Sequence, residues 1–283
     1  MKIPKRIAQA LLNSLKGGVV PRVGLPYIAV GRKEEIDALL HDVDIIAEGG
    51  ASFRFLVGKY GSGKSFLLQT IRNYVMAKNF VVVDADLSPE RRLQGTRGQG
   101  LATYKELIRN MSTKTKPEGG ALSLILDRWI SNVQQEVMAS ENLSVTSAQL
   151  PGLVEKRISA VIYSLNEMVH GFDFARLLTL YYQAYIAGDD ETKAKVLKWF
   201  RGEYGTKTEA RQELGVHMVI TDDDWYEYLK LFACFLKQAG YAGMLILIDE
   251  LVNIYKIPNA ITRQYNYEKI LTMYNDTLQG KAQ

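Results

Sequence analysis

Apolar and polar positions follow two rhythms along this chain, and the helical one dominates. Over residues 5–15 apolar side chains recur every three or four positions, which predicts a short amphipathic helix ended by Gly17-Gly18. A loop holding Pro21, Gly24 and Pro26 follows, and helical spacing returns over about 33–47 until Gly49-Gly50 breaks it. Residues 52–57 read as a short apolar strand, and residues 66–78 as a helix with Phe66, Leu67, Thr70, Ile71, Tyr74 and Val75 along one side. Residues 80–85 form a continuous apolar run ending near Asp84, the pattern of a buried parallel strand. A basic, glycine-dotted loop over 88–100 leads to a helix over 101–111 and a linker over 114–120.

Beyond the linker, strand signals vanish for about eighty residues. Helices are expected over 121–139, 150–168, 172–186 and 190–202. Thr221-Asp222-Asp223-Asp224 starts a further helix, with carboxylates where the helix dipole is positive, and Gly240 stops it after Gln238. Met244 to Ile248 is an apolar strand ending in Asp249-Glu250, and a last helix covers about 263–278. No internal repeat is present. The expected fold class is α/β: a parallel sheet with flanking helices and a large all-helical insertion, of the P-loop NTPase kind given the G-x-x-x-x-G-K-S/T run over 58–65. The expected units are N-terminal helices over 1–50, a strand–loop–helix–strand unit over 51–120, the insertion over 121–220, and the acidic strand with its helices over 221–283.

The candidate chemistry begins at Gly58-Lys59-Tyr60-Gly61-Ser62-Gly63-Lys64-Ser65, which fits G-x-x-x-x-G-K-S/T between an expected strand and an expected helix. Its glycines let main-chain N–H groups turn inward as an anion cradle, and the helix that continues through Phe66 adds its positive end. Lys64 would meet the β- and γ-phosphates of a nucleoside triphosphate, and the Ser65 hydroxyl would ligate Mg²⁺. Asp249 and Glu250 arrive at the carboxyl end of a buried strand, the edge where such sheets bind ligands. Asp249 would hold Mg²⁺, and Glu250 would polarise an attacking water as general base. Asp84 also ends an apolar strand but lacks an adjacent glutamate, and Asp86, separated from it by Ala85, reads as pointing away. Were Asp84 the metal carboxylate, the chain would be a P-loop kinase.

Composition adds bounds. The 283 residues are 47% hydrophobic and 23% charged with a formal net charge of +4, an ordinary globular balance that permits nucleic-acid contact without demanding it. Arg91, Arg92, Arg97, Lys105, Arg109, Lys114 and Lys116 read as a solvated face, with DNA as the competing partner. The single Cys234 lies in an apolar helical run, so a reducing, cytoplasmic setting is expected. His41, His170 and His217 are scattered without metal-ligand spacing, and no apolar run reaches the length of a membrane span. Tyr181, Tyr182 and Tyr185 at helical spacing read as core.

Val30-Gly31-Arg32-Lys33-Glu34-Glu35-Ile36, about 25 residues before the loop, resembles the G-R-x-x-E segment of AAA+ ATPases of the origin-recognition and STAND signal-transduction types. The resemblance implies that Gly31 and Arg32 lie near an adenine base, with ATP as the nucleotide. Residues 21–35, the loop, and Gly240-Tyr241-Ala242-Gly243 leading into the acidic strand together resemble the BREX-system ATP-binding proteins of phage defence, the BrxC/BrxD kind. That resemblance implies ATPase activity coupled to defence-system or AAA+-type partners or to self-assembly. The resemblance also implies that such ATPases continue past the acidic strand with a strand carrying a polar sensor, placed in the sheet between the loop strand and the acidic strand, and then with an arginine finger. The chain runs only about 30 residues past Glu250, so an N-terminal portion of a longer protein is expected, able to bind nucleotide with or without turnover.

Overall fold

The computed structural model describes residues 3–21 and 24–280. In chain order the elements are α1 (Lys5–Lys16), α2 (Lys33–Ala47), α3 (Lys64–Ala77), β1 (Val81–Asp86), α4 (Gln99–Arg109), α5 (Leu122–Ser140) and α6 (Leu150–Leu165). They continue with α7 (Gly171–Ala187), α8 (Asp190–Phe200), α9 (Lys207–Leu214), α10 (Trp225–Gln238), β2 (Met244–Asp249), α11 (Val252–Tyr255) and α12 (Ala260–Leu278). The expected helices are present within a few residues of their read boundaries. The short α9 and α11 lie outside the helices that the periodicity predicts: α9 is polar apart from Ala210 and Leu214, and α11 is a single turn.

The two strands pair in parallel, with Val81 opposite Met244 and Asp86 opposite Asp249. Parallel neighbours need a long crossover, and helices α4 to α10 lie between them. Strand alternation gives the small sheet two apolar faces. Val81, Val83 and Ala85 join the large helical core, whereas Val82 and Leu247 join Ile36, Val43, Leu67, Ile71 and Val75 from α2 and α3. A two-stranded sheet is marginal alone. Trp129, Trp199, Trp225, Phe174, Phe200, Phe232 and Phe235 are almost wholly buried among the helices. At ~1.5–3 kcal/mol for each large apolar side chain, that layer supplies most of the apolar stabilisation. Tyr181 and Tyr182 are buried in it, as read.

One expected element is absent. Residues 52–57 form no strand, and among the described residues their main-chain groups make no hydrogen bonds. A strand exists only where a neighbouring edge offers a ladder. Among the described residues β2 pairs with β1 alone, and the far side of β1 is bridged at Val82 by Ser112. The segment still contributes to both cores, Phe53 packing on one cluster and Leu56 on the other. Arg54 pins it to α2 through a fork onto buried Asp42, at 2.6 and 2.9 Å, and this contact holds the Asp42 carboxyl below its usual range. The sheet is therefore narrower than the parallel sheet read from the sequence.

Candidate functional site

The glycine loop connects the 51–57 segment to α3. Gly61 and Gly63 hold φ at 76° and 84°, a region that side chains with a Cβ rarely enter. Helix α3 begins at Lys64 with Gly63 as its cap and no acidic residue in its first turn. Its amide groups and positive dipole end are thereby left for an anion. Lys64 folds back over the loop, its Nζ donating to the carbonyls of Gly58 at 3.0 Å and Lys59 at 3.1 Å. Two of the ammonium's three donors are used there, which leaves one for a ligand. Lys59 and Tyr60 stand in solvent at the tip, and Phe66 is half-buried one residue past Ser65.

Ser65 Oγ donates to Asp249 Oδ2 at 2.7 Å, joining the start of α3 to the end of β2 across 184 residues of sequence. Glu250 follows in a left-handed conformation, with φ at 59°, and its N–H donates to Asp249 Oδ1 at 2.8 Å. The backbone thus turns sharply as it leaves the strand, and the exposed Glu250 side chain departs beside Asp249. A non-glycine residue in this conformation costs ~1–2 kcal/mol, a strain of the kind that collects at functional sites.

Asp86 belongs with this group, contrary to the sequence reading. It sits opposite Asp249 in the strand register. Although solvent reaches it, burial pushes its carboxyl above the usual range, with Asp249 adding to the rise and Arg91 offsetting it. The sequence carried the signal: a period of two puts residues 84 and 86 on one face. Arg32 also lies at the loop. Its Nη2 donates to the Ser62 carbonyl, and its Nη1 meets Glu35 Oε1 at 2.9 Å. Gly31, next to it, has open space where a Cβ would stand.

The donor set fits a magnesium–triphosphate. Hydroxyl and carboxylate oxygens meet at Ser65 and Asp249, the donor type a hard cation takes, and the Lys64 ammonium lies over the loop as a counter-charge for an anion. The model of one protein family, described as BREX system ATP-binding protein BrxC/D, matches residues 3–283. The chain belongs to the BREX system ATP-binding protein BrxC/D family. No curated protein and no solved structure matches it.

In this BrxC/D family member the basic loop is held rather than loose. Leu93 and Gln94 donate their N–H groups to Asn266 Oδ1 at 2.9 and 3.0 Å, and the Asp222 carboxylate accepts from the N–H groups of Gly98 and Leu101, each at 2.7 Å. No helix among the described residues is long and apolar enough to cross a membrane.

Asp84 has a structural employer. The Nε of buried Arg72 lies 3.4 Å from its carboxylate, and the same guanidinium donates to Ser112 Oγ and the Pro117 carbonyl, both at 2.6 Å. Asn110 Nδ2 donates to the Asp84 main-chain carbonyl at 2.9 Å. Removing the charge from one side of a buried pair costs ~1–3 kcal/mol, so Asp84→Asn should lower the denaturation midpoint while labelled-ATP affinity stays unchanged. A variant of parental stability that no longer bound nucleotide would move Asp84 into the site.

Proposed function

We propose that this chain binds ATP with Mg²⁺ at residues 58–65 and hydrolyses it, passing a conformational change to a partner in a phage-defence or DNA-related assembly. The observation that carries this reading is the 2.7 Å contact between Ser65 and Asp249. It unites a phosphate-type loop and an acidic strand end that the sequence leaves far apart. Lys64 and the loop amides would bind the β- and γ-phosphates, Phe66 lying just beyond them. Ser65 and Asp249 would hold the cation, which supplies charge neutralisation at the phosphates. Glu250 would draw a proton from the attacking water, and its exposed carboxylate is free to turn toward that water.

Titrating labelled ATP in Mg²⁺ and in a chelator tests the cation. Affinity should be about tenfold tighter with Mg²⁺, and Asp249→Ala should erase the difference. Equal affinity under both conditions, unaltered by Asp249→Ala, would remove the cation from the account.

A second reading is a nucleotide-dependent module that binds ATP with little turnover. One observation favours it. Arg263, the arginine that follows the acidic pair, donates its Nη1 to the Ile257 carbonyl at 2.7 Å and so is engaged by the loop that leads into α12. The kinase reading is disfavoured by the Arg72–Asp84 pair.

A further inference from the structure

The resemblance to G-R-x-x-E segments implies that Arg32 serves the adenine base, but its contacts lie elsewhere. The guanidinium holds the carbonyl of Ser62 inside the loop, and a Cβ placed on Gly63 would come within 3.1 Å of Arg32 Nη2. Glu35, one turn along α2, anchors the other side of the guanidinium. Its own main-chain N–H and Arg32 keep the Glu35 carboxyl below its usual range, so the anchor is charged at neutral pH.

A trans peptide points its C=O and N–H in opposite directions. A carbonyl of Ser62 fixed toward Arg32 therefore turns the N–H of Gly63 to the opposite side. That N–H makes no hydrogen bond among the described residues. Gly63, at φ 84°, has a second backbone orientation open to it that a larger residue would lack, so something must select between them. We infer that Arg32 is a positioning residue for the phosphate loop: it locks the Ser62–Gly63 peptide plane so that the Gly63 N–H faces a bound triphosphate. The same contact ties α2 to the loop, since Arg32 caps the start of that helix and Glu35 lies in its first turn.

This inference rests on the triphosphate reading, and a ligand without a base separates the two. Inorganic tripolyphosphate offers the anion alone. In competition titrations against labelled ATP, Arg32→Ala should weaken ATP and tripolyphosphate in parallel, each by about tenfold. Arg32→Lys, which can still donate to the Ser62 carbonyl but cannot fork to Glu35, should restore part of both losses. Thermal melts identify any variant that fails to fold, in which case the lysine variant alone carries the comparison. If Arg32→Ala weakens ATP and leaves tripolyphosphate untouched, the arginine serves the base and the inference is wrong. Unchanged affinity for both ligands is equally fatal to it. A parent chain that binds neither ligand sinks the triphosphate reading first and this one with it.

Discussion

Lys64→Ala should abolish measurable affinity for labelled ATP, a loss of about 100-fold or more, while the melting temperature stays close to that of the parent. The size follows from charge. The ammonium belongs to the loop itself, donating to Gly58 and Lys59 from within the span that would hold the phosphates. A charge-assisted hydrogen bond contributes ~1.5–3 kcal/mol, and Coulomb attraction to a multiply charged anion at a partly screened site adds a comparable amount. Stability is spared because Lys64 is only half-buried and its partners are loop carbonyls that water can reach. Fluorescence titration with calorimetric melts checks both halves. Retained ATP affinity in a folded Lys64→Ala protein would end the phosphate-loop account.

Glu250 should show the second-largest effect, and it should separate chemistry from folding. Glu250→Gln keeps the shape and the hydrogen-bonding reach but loses the base. Single-turnover hydrolysis should fall by a factor of ~10²–10⁴ with binding intact. Glu250→Gly should abolish hydrolysis just as fully and yet raise stability by ~1 kcal/mol, because glycine relieves the left-handed backbone. Glu250 accepts that conformation with φ at 59° at the point where the chain leaves β2. Hydrolysis that survives in the glutamine variant would assign the base elsewhere, and no hydrolysis in the parent would favour the binding module.

Both predictions depend on parts of the protein that were legible to different degrees. The loop was plain in the sequence because its chemistry is local: glycines, an ammonium and a hydroxyl within eight consecutive residues. The acidic pair was legible for a similar reason, since an apolar run that stops at two carboxylates marks a strand end. The strand expected over 52–57 misled because its apolar composition matched while its ladder partner was missing. Asp86 does not point away as its separation from Asp84 by Ala85 suggested: the two share a face by strand parity, and the register sets Asp86 opposite Asp249.

The amino-acid sequence by itself settled the elements whose cause lies within a few residues: the helical periods, their glycine breaks, the two strands that pair, and the glycine loop. It also carried the family resemblance, which the match over residues 3–283 bears out. Folding alone decided that Ser65 meets Asp249, that Arg32 grips Ser62, that Arg72 occupies Asp84, and that residues 52–57 go without a ladder. Each of those outcomes depends on a partner far away along the chain. Hydrogen bonds and ion pairs act over a few ångströms of space, whereas spacing in a sequence reports only on neighbours a turn or two away.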